Sequence, residues 1–155
     1  MKYWFLLFFG MLFLSSCEGD DDVCVTGEAT PRMKVKFKSA DGRVATLDSL
    51  YVDVNYGSGN VSVIKAKEVD SAMIPLRVDN NLFTEISLRT SNKGNASKIK
   101  LTYSLKSEYV SPACGFKRLY ENVNGTLVTP NPVTKIERKQ EQIIDENKIH
   151  FYFIF

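Results

Sequence analysis

The segment IKLTYSLK, residues 99–106, alternates apolar and polar side chains without interruption. Successive side chains of a β-strand point to opposite faces, so this alternation predicts a strand with one buried face. Ile99, Leu101, Tyr103 and Leu105 form the apolar face. The strand is therefore expected to cover a hydrophobic core on one side and to meet water on the other.

The same period of two recurs along much of the chain, and short runs rich in Asn, Gly, Asp and Ser separate the alternating segments. A hairpin is predicted for residues 83–89 and 99–106, with its turn at residues 92–95. Pro75 within residues 73–77 favours an edge strand or a loop. The other predicted strands are residues 33–38, 47–56, 62–67 and 149–155.

Residues 133–144 are ambiguous, because their charged centre favours a helix by propensity while the neighbouring segments have strand patterns. We interpret them as a strand. Short strands with frequent turns predict an all-β fold, namely an antiparallel β-sandwich of the immunoglobulin-like or a similar type. A small up-and-down β-barrel is the alternative.

The N-terminal segment has the order of parts of a bacterial export signal. Lys2 precedes an uncharged run from Tyr3 to Leu14, which is too short to span a bilayer as a helix. Leu14-Ser15-Ser16-Cys17 resembles the lipobox of bacterial lipoproteins. That resemblance implies a signal peptide at residues 1–16, lipidation of Cys17 and anchoring to membrane lipid, which two or three acyl chains make lasting. The other reading is an ordinary signal peptide or an uncleaved anchor.

An acidic run, Glu18 to Asp22, follows the cysteine. Like charges beside a glycine repel each other and favour an extended tether, here residues 17–23. The run also resembles the signal that sends Bacteroidota lipoproteins to the outer face of the outer membrane. Adjacent aspartates lack the alternate spacing of a calcium loop, so calcium binding is not expected.

The chain has 155 residues, with 20 basic and 18 acidic side chains and a formal net charge of +2. This balance argues against nucleic acid as a partner. The remaining length, residues 24–155, suits one domain with a single hydrophobic core.

If Cys17 carries lipid, Cys24 and Cys114 are the remaining cysteines. An exported pair in an oxidising compartment is expected to form a disulfide. The bridge would close a loop of about 90 residues, which chain entropy credits with roughly 4–5 kcal/mol. A redox or nucleophilic role for Cys114 is the rival interpretation, although neither a C-x-x-C pair nor a nearby histidine supports it.

Four segments occur in an order typical of one family: Cys24, Thr30-Pro31-Arg32, Asp48-Ser49-Leu50-Tyr51-Val52 and Glu108-Tyr109-Val110-Ser111-Pro112-Ala113-Cys114-Gly115-Phe116. Together they resemble a domain-of-unknown-function family of small Bacteroidota envelope lipoproteins. The resemblance covers most of the chain after Cys17, and the segment around Cys114 is its most specific part. It implies an envelope lipoprotein of unassigned activity and supplies no catalytic residues.

Catalytic candidates are few. His150 is the single histidine, and strand alternation places it on the surface or on the second face of its strand. This disfavours Ser-His-Asp and Cys-His arrangements and any metal site with two histidines, and no metal or cofactor is expected. A carboxylate-based hydrolase is the remaining enzyme class, because five acidic side chains could meet in space: Asp48, Asp53, Glu68, Asp70 and Glu85.

A binding face is the better candidate site. Lysines project from two predicted strands, and if these strands lie side by side they could meet an anionic envelope glycan or a protein. The other reading is a solvated face that protects a sheet edge. These residues are Lys34, Lys36, Lys38, Lys100 and Lys106. Ser49 and Ser71 lie in Asp-Ser-apolar triplets that resemble Bacteroidota O-glycosylation sites.

The sequence therefore predicts a lipid-anchored protein of the cell envelope at the outer membrane, facing the periplasm or the cell surface. We expect a non-catalytic accessory or interaction module for an outer-membrane protein or an envelope polymer. The alternatives are a glycan-binding or small-ligand-binding lipoprotein and, second, the carboxylate-based hydrolase.

Overall fold

A computed structural model describes residues 29–155. The predicted signal peptide, Cys17, the acidic tether and Cys24 lie outside these residues. Nine strands occur within the described part: β1 (Met33–Lys38), β2 (Leu47–Asn55), β3 (Asn60–Val69), β4 (Ser71–Ile74), β5 (Phe83–Arg89), β6 (Ser97–Ser111), β7 (Gly115–Thr129), β8 (Lys135–Arg138) and β9 (Phe151–Ile154). No helix in residues 29–155 has the length and apolar character that crossing a lipid bilayer requires.

The strands form two sheets that pack face to face. The four-stranded sheet has the order β4-β1-β9-β8, and the five-stranded sheet has the order β3-β2-β5-β6-β7. The predicted β-sandwich is thus confirmed, and the two separate sheets are not the closed barrel of the alternative. Strand pairs are antiparallel except β1 with β9, which run parallel.

The core lies between the two sheets and follows the predicted alternation. From the four-stranded sheet, Phe37 and Phe153 are fully buried, and Val52 and Leu101 are their counterparts in the five-stranded sheet. Burying a large apolar side chain contributes about 1.5–3 kcal/mol, so these alternating positions specify which face of each strand points inward.

The predicted hairpin is confirmed as β5 and β6, with Ile86 opposite Ile99. Residues 115–129 were not predicted as a strand, yet they form β7, one of the two longest strands of residues 29–155. A β-bulge explains the omission. Asn122 has a positive φ of 53° within β7, and the pairing of β6 with β7 shifts there. The extra residue changes which alternate positions point inward, so the strand has no continuous period of two.

The interpretation of residues 133–144 as a strand is correct only for Lys135–Arg138, which form β8. The chain beyond β8 is irregular. Ile143 is buried and its backbone exchanges hydrogen bonds with Tyr120 of β7 at 2.8 and 3.3 Å. These residues therefore cover part of the free edge of β7 instead of extending β8.

Gly125 of β7 packs directly against side chains of the other sheet. A Cβ atom at this position would lie 3.0 Å from a ring carbon of Phe151 and 3.1 Å from Ile136 Cδ1. The site therefore has no room for a side chain, and the core is packed around the bare backbone.

We expect Gly125→Val to lower the free energy of unfolding by about 1–3 kcal/mol, because the added methyl groups overpack the core. Thr126→Val is the matched control, since Thr126 is the next residue of β7 and is exposed. Urea denaturation of both variants measures the effect. Equal unfolding midpoints for the two variants would contradict the packing described for Gly125.

Candidate functional site

The structure does not bring the two predicted rows of lysines together. Lys34, Lys36 and Lys38 lie on β1 in the four-stranded sheet, whereas Lys100 and Lys106 lie on β6 in the five-stranded sheet. Their neighbours Val35 and Leu101 point into the shared core, so the lysines face outward on opposite sides of the sandwich. A single basic face made of both rows is therefore not formed.

Two of the three lysines of β1 form ion pairs with nearby acids, and the ammonium of Lys34 donates a hydrogen bond to the Asn147 carbonyl at 3.4 Å. Lys36 forms an ion pair with Asp70 at 3.4 Å, and Lys38 forms one with Glu137 at 3.5 Å. The ammonium of Lys38 also lies 3.8 Å from the centre of the Tyr152 ring. These contacts tie β1 to neighbouring segments of the four-stranded sheet, which leaves little free charge for a ligand.

Two of the five carboxylates proposed for a hydrolase contact cations. Asp53 pairs with Arg89 at 2.6 Å, and Asp70 pairs with Lys36. Glu85 accepts a hydrogen bond from Asn55 Nδ2 at 3.2 Å. Asp48 and Glu68 lie at exposed positions. Within residues 29–155, no group of three or more His, Cys, Asp and Glu side chains is arranged to hold a metal ion.

The two serines proposed for O-glycosylation lie on strands of different sheets. Ser49 is half-buried on β2, and Ser71 is half-buried at the start of β4. The hydroxyl of Ser71 donates a hydrogen bond to Asp70 Oδ1 at 2.8 Å. This hydrogen bond is the largest cause of the lowered pKa of Asp70.

His150 is buried, with 1% of its surface exposed, so of its two predicted positions the one at the surface is wrong. It immediately precedes β9, and its backbone N–H donates to the Lys34 carbonyl at 2.9 Å. Its Nδ1 accepts a hydrogen bond from the Lys34 N–H, also at 2.9 Å. Burial lowers the pKa of His150, and only a deprotonated Nδ1 can accept this bond.

The stability of the protein should therefore fall on acidification below the ordinary histidine pKa of about 6.5. Because the folded protein disfavours protonation of His150, the unfolded chain binds more protons there as the pH falls, which favours unfolding. His150 is the single histidine, so this loss should dominate between about pH 7.5 and 5.5, amounting to about 1 kcal/mol. Urea unfolding of the wild type and His150→Gln at both pH values measures it.

His150→Gln should be less stable than the wild type at the higher pH, but its stability should change less between the two values. Protonation of the carboxylates affects both proteins alike, so the difference between their two pH slopes reports on His150 alone. The same pH slope for both proteins would contradict a buried neutral histidine.

The β6–β7 hairpin extends beyond the rest of the five-stranded sheet. β5 pairs with β6 only as far as Thr102, whereas β6 and β7 continue to pair up to Ser111 and Gly115. We call residues 108–117 the hairpin tip. Tyr109 and Phe116 are 58% and 69% exposed, and their rings contact each other edge to face with centres 5.4 Å apart. The tip thus presents an aromatic pair to its surroundings.

A polar network supports the base of the hairpin. The Tyr120 hydroxyl donates to the Arg77 carbonyl at 3.0 Å, and the Arg77 N–H donates to Thr84 Oγ1 at 3.1 Å. The Arg77 guanidinium binds Asp79 and holds the pKa of that carboxyl well below its usual range. The Tyr103 hydroxyl lies 2.7 Å from Thr84 Oγ1. The buried polar groups pair with one another, so this network is structural.

Two residues that carried the family resemblance are anchors as well. The Thr30 hydroxyl accepts a hydrogen bond from the Arg118 backbone N–H at 2.9 Å, which places the start of the described chain beside the hairpin. Arg32 forms two hydrogen bonds of 3.0 Å with the Glu146 carboxylate, which lowers the pKa of Glu146. These residues hold the N-terminal end of β1 in place.

The segment around Cys114, which is the most specific part of the family resemblance, forms the hairpin tip. Sequence reasoning noted this segment but did not identify Tyr109 and Phe116 as a surface, because neither residue lies in a predicted strand. Their exposure depends on the greater length of β6 and β7 relative to β5. The comparison with protein families gives a match over residues 44–155 to DUF6452, a family of unknown function.

The chain belongs to this family. The match covers the chain from the end of the β1–β2 connection to the last residue, and therefore includes the hairpin tip and the polar network. No curated protein and no solved structure matches the chain. The DUF6452 family carries no assigned activity, so the function has to be argued from the surface of this protein.

Proposed function

We propose that this DUF6452 protein is a lipid-anchored lipoprotein of the outer membrane, of the kind found in Bacteroidota, that serves as a non-catalytic accessory of an outer-membrane protein. The hairpin tip is its contact site. The single observation that carries the proposal is the exposed aromatic pair, Tyr109 and Phe116, at the end of a hairpin that extends beyond the sandwich.

The chemistry of the tip suits a protein partner. Aromatic side chains bury much apolar area at a low cost in conformational entropy, and they are enriched where interfaces gain most of their binding energy. Glu108 and Lys117 form an ion pair of 2.9 Å next to the aromatic pair. An apolar centre flanked by charged groups is the usual composition of a protein interface.

The position of the N-terminal end supports a partner in the membrane. Thr30 contacts Arg118 at the base of the tip, and Cys17 precedes Thr30 by thirteen residues. An extended segment of that length reaches at most about 45 Å. Lipidation of Cys17 would therefore keep the hairpin near the membrane surface, where it would meet membrane proteins at a high effective concentration.

The proposed contact can be tested by introducing a photo-crosslinking residue at position 116 in cells of a Bacteroidota host. We expect crosslinking to one outer-membrane protein, because Phe116 would be buried in the interface. Position 61 is the matched control. Val61 is also an exposed apolar residue, but it lies on β3, which is the opposite edge of the sheet from β7.

The partner should also be lost on substitution of the tip. Tyr109→Ser with Phe116→Ser should abolish its co-purification, whereas Val44→Ser with Val61→Ser should retain it. The same crosslinked product from positions 116 and 61, or co-purification that survives the tip substitutions, would show that the tip is not the contact site.

The disulfide between Cys24 and Cys114 is also part of the proposal. Cys24 precedes Thr30 by six residues, so an extended segment of about 20 Å is available to it. Cys114 lies four residues before Arg118, or about 13 Å along β7. The contact of Thr30 with Arg118 thus leaves Cys24 within reach of the hairpin turn. The bridge would fix the tether to the hairpin tip.

Peptide mass spectrometry of the oxidised protein should find Cys24 linked to Cys114, and reduction should lower the free energy of unfolding by about 2–5 kcal/mol. Cys24→Ser with Cys114→Ser is the control, because reduction should not change its stability. Free thiols at both positions in protein isolated from the envelope would contradict the bridge.

A further inference from the structure

A groove lies on the outer face of the five-stranded sheet, on the side of the molecule away from the lysines of β1. Its volume is about 380 Å³, and residues of β2, β3, β5, β6 and β7 line it. The groove lies beside the turn that joins β2 and β3. Asn55 and Asn60 line the groove at this turn, and Val128 lines it from β7. This site is separate from the hairpin tip and does not depend on the function proposed for it.

Two lysines that face this groove have no carboxylate partner in the described part of the chain. Lys98 and Lys100 are alternate residues of β6, so their side chains project from the same face with Cα atoms about 7 Å apart. Lys100 lies over the Phe83 ring at 4.6 Å, and within residues 29–155 neither ammonium forms an ion pair. The lysines Lys36, Lys38 and Lys117, in contrast, are all paired with acids.

Glu85, the one carboxylate that lines the groove within residues 29–155, is held by a neutral group. Glu85 lies directly opposite Lys100 across the strand pair, yet its Oε2 accepts the hydrogen bond of Asn55. A carboxylate inside the groove repels a lone small anion, but it can accept hydrogen bonds from hydroxyl groups. The groove thus combines two cations with an acceptor and amide groups.

This combination fits an acidic polysaccharide. The ammonium groups suit the carboxylates or sulfates of the sugars, Glu85 and the asparagines suit hydroxyl groups, and the exposed Val128 suits the apolar face of a sugar ring. An open groove on a sheet accommodates a polymer better than a small molecule, which requires an enclosed cavity. A nucleic acid would call for a broader basic surface than two lysines on a chain of net charge +2.

We infer that the groove binds an acidic polysaccharide and that Lys98 and Lys100 provide the charges that recognise it. The test is calorimetric titration of the full-length protein, in a neutral detergent, with short oligogalacturonates as the probe. Neutral maltooligosaccharides of the same length are the ligand control. Saturable binding is expected for the first and none for the second.

The variant Lys98→Gln with Lys100→Gln should weaken binding roughly tenfold, because it removes two exposed charge contacts. Lys65→Gln with Lys67→Gln is the matched control. These are also alternate exposed lysines, and they lie opposite Tyr51 and Ser49, toward the other end of the same sheet face. Urea unfolding midpoints equal to that of the wild type establish that both variants are folded.

A second measurement needs no variant. Oligogalacturonate should protect Lys98 and Lys100 of the wild-type protein from acetylation, as read by peptide mass spectrometry, and should leave Lys65 and Lys67 reactive. If the two double substitutions weakened oligogalacturonate binding equally, net charge alone would attract the polymer. That result, the absence of saturable binding, or equal binding of the neutral sugars would overturn the assignment.

Discussion

The parallel pairing of β1 with β9 is the constraint on which the four-stranded sheet depends, because β4 and β8 join that sheet only through these two strands. Val35 lies opposite Phe151, so the pair joins segments from the two ends of the described chain. Closing so long a loop costs conformational entropy, which burial of Phe37 and Phe153 against the other sheet offsets. The second layer of the sandwich is therefore complete only when the last strand is in place.

This constraint also explains why the outer face of the four-stranded sheet is structural. His150 and Lys34 extend the pairing by exchanging two further hydrogen bonds, one of them through the imidazole ring. Lys38 then packs over Tyr152 of β9 and pairs with Glu137 of β8. Charges that hold three strands together are poorly available to a partner. The surfaces left for binding are on the five-stranded sheet and its hairpin.

Strand alternation was sufficient to predict the sandwich, because the alternating pattern itself identifies the side chains that enter the core. It failed where the backbone departs from that period. The bulge at Asn122 places Tyr120 and Val123, three residues apart, on the same buried face of β7. The strand prediction for residues 139–144 failed for a related reason, since Ile143 is buried by an irregular segment and not by a strand. A single sequence carries no local signal for either arrangement.

The candidate sites show a different limit of the same reasoning. Alternation shows that a lysine points away from the core, but long-range strand pairing decides to which sheet its strand belongs. Lys34 and Lys100 looked equivalent in sequence, yet they lie on opposite sides of the protein. What separates a binding charge from a structural one is its neighbour across the strand pair. Lys36 faces a strand end that supplies Asp70, whereas the acid opposite Lys100 is already bound by Asn55. The free charge of Lys100 is therefore a consequence of strand order, because the pairing sets opposite it an acid that Asn55 already binds.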